Sequence, residues 1–239
     1  MAKNADEPIN VGIIVSPQFG AIDIFGVYTI FGVPPFIGLR PSIKVHFVGK
    51  NLEEFNAIPP WPMRATTTFR DCPESLDVLA IGAQPPSFLD DDEAMDFVAR
   101  AGQKAAYLIG ICDGALTLGA AGLLKGYKAT CSFHSIDHLS LTGAIPTQGH
   151  VVVDRNRYTS GPVIGAYDAS LMVLGELCGL DIARELELHL EHLAEPPFGV
   201  GRPELAGAEL TKLAFNRVLP FAKDGHDRIA AACVRRGIQ

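Results

Sequence analysis

A chain of 239 residues, 48% hydrophobic and 20% charged with mean hydropathy +0.20, carries enough apolar material for one large core and is not a disordered polyelectrolyte. Its net charge of -7, with no run of Lys and Arg, argues against nucleic-acid and anionic-membrane partners. The five cysteines (Cys72, Cys112, Cys131, Cys178 and Cys233) are irregularly spaced and form no CxxC, which fits free thiols in a reducing compartment. The N-terminal MAKNADEP has no apolar signal core, so a cytoplasmic location is expected. Asp113 interrupts the most apolar long stretch, and no membrane span is expected.

The elements alternate along the chain. Ile9–Val15 reads as a doubly buried strand, and Pro17 and Gly20 mark the loop after it. Ala21–Phe31 is then a helix closed by Gly32 and Pro34-Pro35. Asp23 falls in its first turn, just past the carboxyl end of the first strand. Position alone fits either an acid complementing the helix N-terminus or an active-site carboxylate. Ile43–Val48 is the next strand, and Phe55–Pro62 is a loop that would wall a pocket with Trp61. Leu76–Gly82 is a strand of parallel-sheet type. Acidic Asp90–Glu93 opens a helix that Ala94–Ala101 continues, and Tyr107–Ile111 is a strand followed by a helix over Leu116–Leu123.

Lys128–Cys131 is expected as a short strand, Phe133–Leu141 as a helix, and Val151–Asp154 with Arg157–Thr159 as a hairpin. Pro162 is placed to open a buried helix over Ile164–Leu177. Leu180–Leu193 carries leucines at 186, 190 and 193, a packing stripe or a subunit contact. Ala206–Leu219 and Ala222–Arg235 complete the chain as two amphipathic helices. The order predicts an α/β fold: a three-layer Rossmann-like (flavodoxin-like) sandwich with a mostly parallel sheet and ligands at the carboxyl ends of its strands. With no linker or repeat, residues 1–239 are read as a single domain with a helical C-terminal extension from about residue 180.

The chemistry centres on Gly110-Ile111-Cys112-Asp113-Gly114. A lone cysteine between an apolar strand and a small-residue helix, with glycines two positions away on both sides, has the form of a nucleophile elbow. The turn is expected to set the sulfur near helix N-terminal amides that favour thiolate. A buried structural cysteine is the plainer alternative. Asp23 would lie at the same sheet edge. Glu185, His189 and His192 share a helical spacing, but HExxH is absent and a solvated helix face explains them better, so no metal is expected. His134 and His138 are one turn apart; His134 is the better placed to reach Cys112, and a capping or surface histidine is the equal alternative. Neither G-x-G-x-x-G nor a Walker A pattern occurs, and no cofactor is expected.

The run IGICDGALTLGAAGLLKG resembles the nucleophile region of the ThiJ/PfpI superfamily, most closely its isonitrile hydratase branch, and also the amidase-like domains of some AraC-type regulators. Phe19-x-x-x-Asp23-Ile24-x-Gly26, Leu123-Leu124-x-Gly126, Tyr158-Thr159-x-Gly161 with Asp168, and Glu195-Pro196-Pro197-Phe198-x-x-Gly201-x-Pro203 extend the likeness over most of the chain. The resemblance implies a homodimer, a small organic substrate and a cofactor-free hydration of an isonitrile to an N-substituted formamide. In it Cys112 is the nucleophile and Asp23 the acid/base. Phe19, Ile24, Trp61 and Phe133 are expected to line the pocket with Ser132, His134 and Gly161.

Three positions depart from the branch. Asp113 replaces the usual threonine and is read as a second acid/base or an opponent of the thiolate. Ser132 takes the usual histidine position, and Gly161-Pro162 replaces a Gly-Gly pair. These changes imply a shifted pocket. Alternative readings are another hydrolase or glyoxalase-type enzyme of the superfamily acting on a C=N, amide or carbonyl compound, and a non-enzymatic reactive-cysteine regulator. Direct DNA binding is disfavoured by the acidic charge and by the lack of room for a helix-turn-helix module.

Overall fold

Apolar residues at nearly every position make Ile9–Ile14 (β1) a strand buried on both faces, and it occupies the middle of the sheet. The computed structural model describes residues 7–39, 42–193 and 195–238. After β1 come α1 (Ala21–Gly32), β2 (Ile43–Gly49), the two-residue strands β3 (Phe55–Asn56), β4 (Pro62–Met63) and β5 (Thr67–Thr68), and β6 (Val78–Ile81). Then follow α2 (Asp92–Lys104), β7 (Tyr107–Ile111), α3 (Gly114–Ala120), β8 (Lys128–Ala129), β9 (Ile145–Pro146), β10 (Val151–Asp154) and β11 (Arg157–Ser160). The helices α4 (Ile164–Cys178), α5 (Leu180–His189) and α6 (Pro203–Arg235) complete the described elements.

Seven strands form one sheet in the order β10-β11-β7-β6-β1-β2-β5. All pairings are parallel except β10 with β11, the antiparallel hairpin at one edge. Alternate residues supply two cores. Leu79, Ile81 and Leu108 point to the side of α2, α3 and the C-terminal part of α6, whereas Val78, Ala80 and Ile109 meet α1 and α4. Helices on both sides of a mostly parallel sheet are the expected α/β sandwich.

Several local expectations shift. Phe133–Leu141 is not an α-helix; a short 3-10 turn occupies Ile136–Thr142. The loop Phe55–Pro62 is closed by the small β3–β4 ladder and tied to the segment before α1, because the Ile58 N–H donates to the Phe19 carbonyl and the Ala21 N–H to the Ile58 carbonyl. The helix after the elbow ends at Ala120, and Gly122 with φ +80 turns the chain away. The stripe expected on Leu180–Leu193 divides. Leu186 is fully buried, but α5 stops at His189 and Leu193 is 77% exposed.

The two terminal helices are joined through Pro220, and the break falls instead at Gly207, φ +77. A proline removes one main-chain hydrogen bond, and here the helix continues on both sides of it. Buried Ile229, Ala232 and Cys233 hold the end of α6 in the core, aided by an Arg236–Asp96 ion pair at 2.9 Å.

The close crossing of α1 and α4 depends on Gly26. A Cβ there would stand 2.7 Å from both the Ala166 Cβ and the Tyr167 backbone nitrogen. Gly26→Ala is expected to lower the unfolding free energy by about 1–3 kcal/mol, the range for overpacking a tight core. Urea denaturation checks this, and an unchanged midpoint would contradict the packing argument.

Candidate active site

The end of β7 and the start of α3 are drawn together over β6. A Cβ on Gly114 would lie 2.1 Å from the Ile81 carbonyl oxygen, so only glycine permits this approach. Cys112 occupies the turn with φ +55, a left-handed conformation that is strained for a residue with a Cβ. Its N–H donates to the Ser160 carbonyl at 3.0 Å, anchoring the turn to β11. The strand-turn-helix context of a nucleophile elbow is thus present.

Asp23, 1% exposed in the first turn of α1, reaches the same edge. Its Oδ2 accepts the Ala83 N–H at 2.9 Å, the Val163 N–H also favours the carboxylate, and its side chain hydrogen-bonds with Cys112. Its Oδ1 is buried without a partner. Burial outweighs these donors and raises the Asp23 pKa from 3.8 to about 6.

Val163 was not singled out by sequence. It follows Pro162 and has φ +56, ψ -89, an unfavourable conformation for a β-branched residue that costs on the order of 1–3 kcal/mol. Turning its amide toward Asp23 is what this backbone geometry achieves.

Ser132, 1% exposed, places Oγ 2.8 Å from the Cys112 sulfur. Asp113 keeps Oδ1 buried and unpartnered, while Oδ2 accepts the Ser135 hydroxyl at 3.4 Å and lies 3.9 Å from His134 Nε2. His134 therefore faces Asp113, the neighbour of Cys112 in the elbow.

The expectation of a favoured thiolate is corrected. Burial, then the charges of Asp113 and Asp23, push the Cys112 thiol well above 9.0, against the smaller opposing effects of the Ser132 hydroxyl and the Asp113 N–H. Two like charges about 4 Å apart repel by roughly 4 kcal/mol at an effective dielectric of 20, enough to cancel a few amide dipoles. Burial also raises the pKa of Asp113, while His134, Ser135, His138 and Ser132 lower it.

The expected lining splits by depth. Phe19 and Ile24 are fully buried beneath the site and support it from the core. Phe133 is 41% exposed with its edge against the His134 ring, and Trp61 is half exposed and rests on Phe25 of α1 at 5.0 Å. Gly161 lies where a Cβ would meet nothing within 4 Å. A separate cavity of about 240 Å³ opens beside Val15, Lys50, Phe55, Phe69, Phe88 and Asp91; neither Cys112 nor Asp23 lines it.

His192 does not group with Glu185 and His189. Its Nε2 is 2.6 Å from Asp168 Oδ1, and His150 Nε2 contacts the other oxygen of Asp168. Nothing in the sequence spacing signals this His-Asp-His cluster. Among the described residues, no three His, Cys, Asp or Glu side chains are arranged to hold a metal ion.

Residues 10–175 match the DJ-1/PfpI family. The chain belongs to this family. An isonitrile hydratase from Pseudomonas putida is 34% identical over 217 residues, 90% of this chain and 92% of that protein. The crystal structure of a ThiJ/PfpI family protein from Pseudomonas syringae superposes with a TM-score of 0.87 at 32% identity, covering 94% of this chain and 92% of its own. An AraC family transcriptional regulator from Pseudomonas putida shares the fold, with TM-score 0.63 at 21% identity over 77% of this chain and 100% of its own. No described helix of this DJ-1/PfpI member is long and apolar enough to cross a membrane.

The raised pKa of Asp23 has a sign that can be measured. The folded chain retains this proton to higher pH than the unfolded chain, so wild type loses stability as pH rises from 3.8 through about 6. At about 1.4 kcal/mol per pKa unit, the loss is roughly 3 kcal/mol. Asp23→Asn lacks this titration. Relative to wild type, its unfolding free energy is expected to improve by that amount between pH 3 and pH 7 in urea titrations; a pH-independent difference would show that Asp23 is not desolvated.

Proposed function

We propose that this DJ-1/PfpI protein hydrates an isonitrile to an N-substituted formamide, with Cys112 as nucleophile and Asp23 as acid/base. The observation that carries the reading is the contact of a buried carboxyl, with pKa about 6, and the cysteine of a strand-to-helix elbow. The isonitrile hydratase relative from Pseudomonas putida supports the substrate class. Such a carboxyl is divided between acid and base near neutral pH, which suits a reaction needing both.

In the proposed sequence the Cys112 thiolate forms a C–S bond to the terminal isonitrile carbon, and protonated Asp23 delivers its proton to that carbon. The product is a thioimidate and an Asp23 carboxylate. Water then adds to the C=N carbon, giving one proton to Asp23, which passes it to nitrogen. Collapse of the tetrahedral adduct breaks the C–S bond, Asp23 takes the hydroxyl proton, and formamide and thiolate are released. Asp23 thereby regains the proton it gave in the first step, and thiolate and acid stand ready for the next turnover. Atoms balance as isonitrile plus water, with no redox change.

Phe133 and Trp61 supply exposed apolar surface near the segments that bear Ser132 and Asp23, which suits an apolar isonitrile substituent. Asp113 is the further acid/base candidate beside the nucleophile. Exposed Ile22 and Tyr28 on α1, with Ile164 and Met172 on α4, support the homodimer reading. Five free cysteines support the cytoplasmic one.

Cys112→Ala is expected to abolish formamide production from an aryl or alkyl isonitrile while circular dichroism remains unchanged. Asp23→Asn is expected to lower kcat by about 10²–10⁴, the range for losing a general acid/base. Both effects are read by chromatography of the formamide. Full turnover by Cys112→Ala would remove the assignment.

A further inference from the structure

We propose that the cavity at the carboxyl ends of β1 and β2 binds a small apolar amine in its ammonium form, with the hydrocarbon body on phenylalanine rings and the charge at an acidic mouth. The proposal is independent of the reading of Cys112 as nucleophile, since neither Cys112 nor Asp23 lines this cavity.

The topology opens a crevice at this place. The chain leaves β1 toward β2 on one side, whereas β6 pairs with β1 on the other, so the strand order reverses at β1. Loops part at such a reversal, and open α/β sheets bind ligands in the gap outside the carboxyl ends of the strands. Val15 and Ser16 follow β1, Gly49 ends β2, and Phe88, Asp91 and Ala94 belong to the segment running from β6 into α2; all of them line one cavity of about 240 Å³. That volume lies below the range for drug-sized ligands and suits a single ring with a short chain.

The floor is apolar and held in place. Val15, Phe69, Phe88 and Ala94 are buried. Phe69 stacks on Phe97 with ring centroids 4.7 Å apart, and Phe55 on the wall makes an edge contact with Phe19 at 6.2 Å. Rings fixed by their neighbours lose little further freedom when a ligand settles on them.

Exposed Lys50, Glu53 and Glu54 mark the mouth. Lys50 is already engaged, with its ammonium 2.7 Å from Asp91 and 3.3 Å from Glu93. Asp91 also caps α2 by accepting the Ala94 N–H, and the positive end of that helix is further met by Asp92 and Glu93. Glu54 shares its charge with Arg64 at 3.5 Å, and among the described residues Glu53 has no ion-pair partner. Four acids thus stand against two bases, and a cation is the charge this mouth lacks. A carboxylate would be repelled by the same acids, whereas the faces of the phenylalanine rings attract an ammonium.

The test is a ligand-observed NMR titration at pH 7 with three probes of similar size: 2-phenylethylammonium, 2-phenylethanol and phenylacetate. The ammonium is expected to bind about threefold tighter than the alcohol, and phenylacetate to bind weakest. Glu53→Gln is expected to cost the ammonium about two- to fivefold, the range for a solvent-exposed charge, and to leave the alcohol unchanged. Ala94→Met, which extends a side chain into the cavity, and Phe55→Ala, which removes a ring from its wall, are each expected to weaken both probes by about fivefold or more. Thermal unfolding checks that the variants fold, and should Ala94→Met fail to do so, Phe55→Ala decides. Cys112→Ala is expected to bind the ammonium as wild type does.

No binding of any probe, or tightest binding of phenylacetate, would overturn the proposal. Equal affinity for ammonium and alcohol would overturn the charge assignment that it contains. Undiminished ammonium binding by folded Ala94→Met or by Phe55→Ala would place the probe elsewhere, and loss of binding in Cys112→Ala would place it at the elbow; either result overturns the cavity as the site.

Discussion

The close approach of Gly114 to the carbonyl of Ile81 is the constraint on which the rest of the site depends. No side chain fits between the start of α3 and the end of β6, and the chain from β7 is therefore forced through a left-handed residue. That residue is Cys112. Its sulfur is raised over the carboxyl edge of a parallel sheet, where α1 enters with Asp23 and the segment after β8 enters with Ser132. Had a side chain occupied position 114, the turn would open and these three groups would separate. The energetic support comes from the two apolar layers beneath, since the strands meeting at this edge are buried on both faces.

Electrostatics at the edge follows from depth rather than from the elbow itself. A short helix beginning just after the cysteine offers amide dipoles, but two carboxyls and a dry environment act more strongly in the opposite direction. Asp23 and Asp113 are therefore held nearer neutrality than surface carboxylates would be. A neutral carboxyl can donate a proton, which the proposed role of Asp23 requires. The strained backbone at Val163 belongs to the same economy of charge: its amide faces Asp23 from a conformation that a β-branched residue adopts only under tertiary constraint.

Beyond the site, the hairpin β10–β11, α4 and the turn after α5 are tied at one point. His150 and His192 approach the two oxygens of Asp168, and the Tyr167 ring stacks on His192 at 5.6 Å. The Gly161 N–H donates to the His150 carbonyl, so this cluster also borders the turn that carries Val163. A carboxylate with a donor for each oxygen is a well-satisfied partly buried group. It ties the first turns of α4 to the segments before β10 and after α5, beside the candidate site.

Much of the architecture was legible in the chain because its signals are local. Unbroken apolar runs at Ile9–Ile14, Val78–Ile81 and Tyr107–Ile111, each followed by a loop and a helix, specify a parallel α/β sheet through the pattern of burial alone. Gly-x-Cys-x-Gly specified the elbow for the same reason, since a missing Cβ is a property of the residue itself. Asp23 was legible as a position and not as a role: its first-turn location is local, whereas its raised pKa depends on everything packed around it. The contact of Ser132 with Cys112, the turning of His134 toward Asp113, the left-handed Val163 and the pairing of His150 and His192 through Asp168 were decided only by the tertiary structure. They join residues far apart in sequence, or fix a backbone against its local preference, and burial of the surrounding chain is the force that does both.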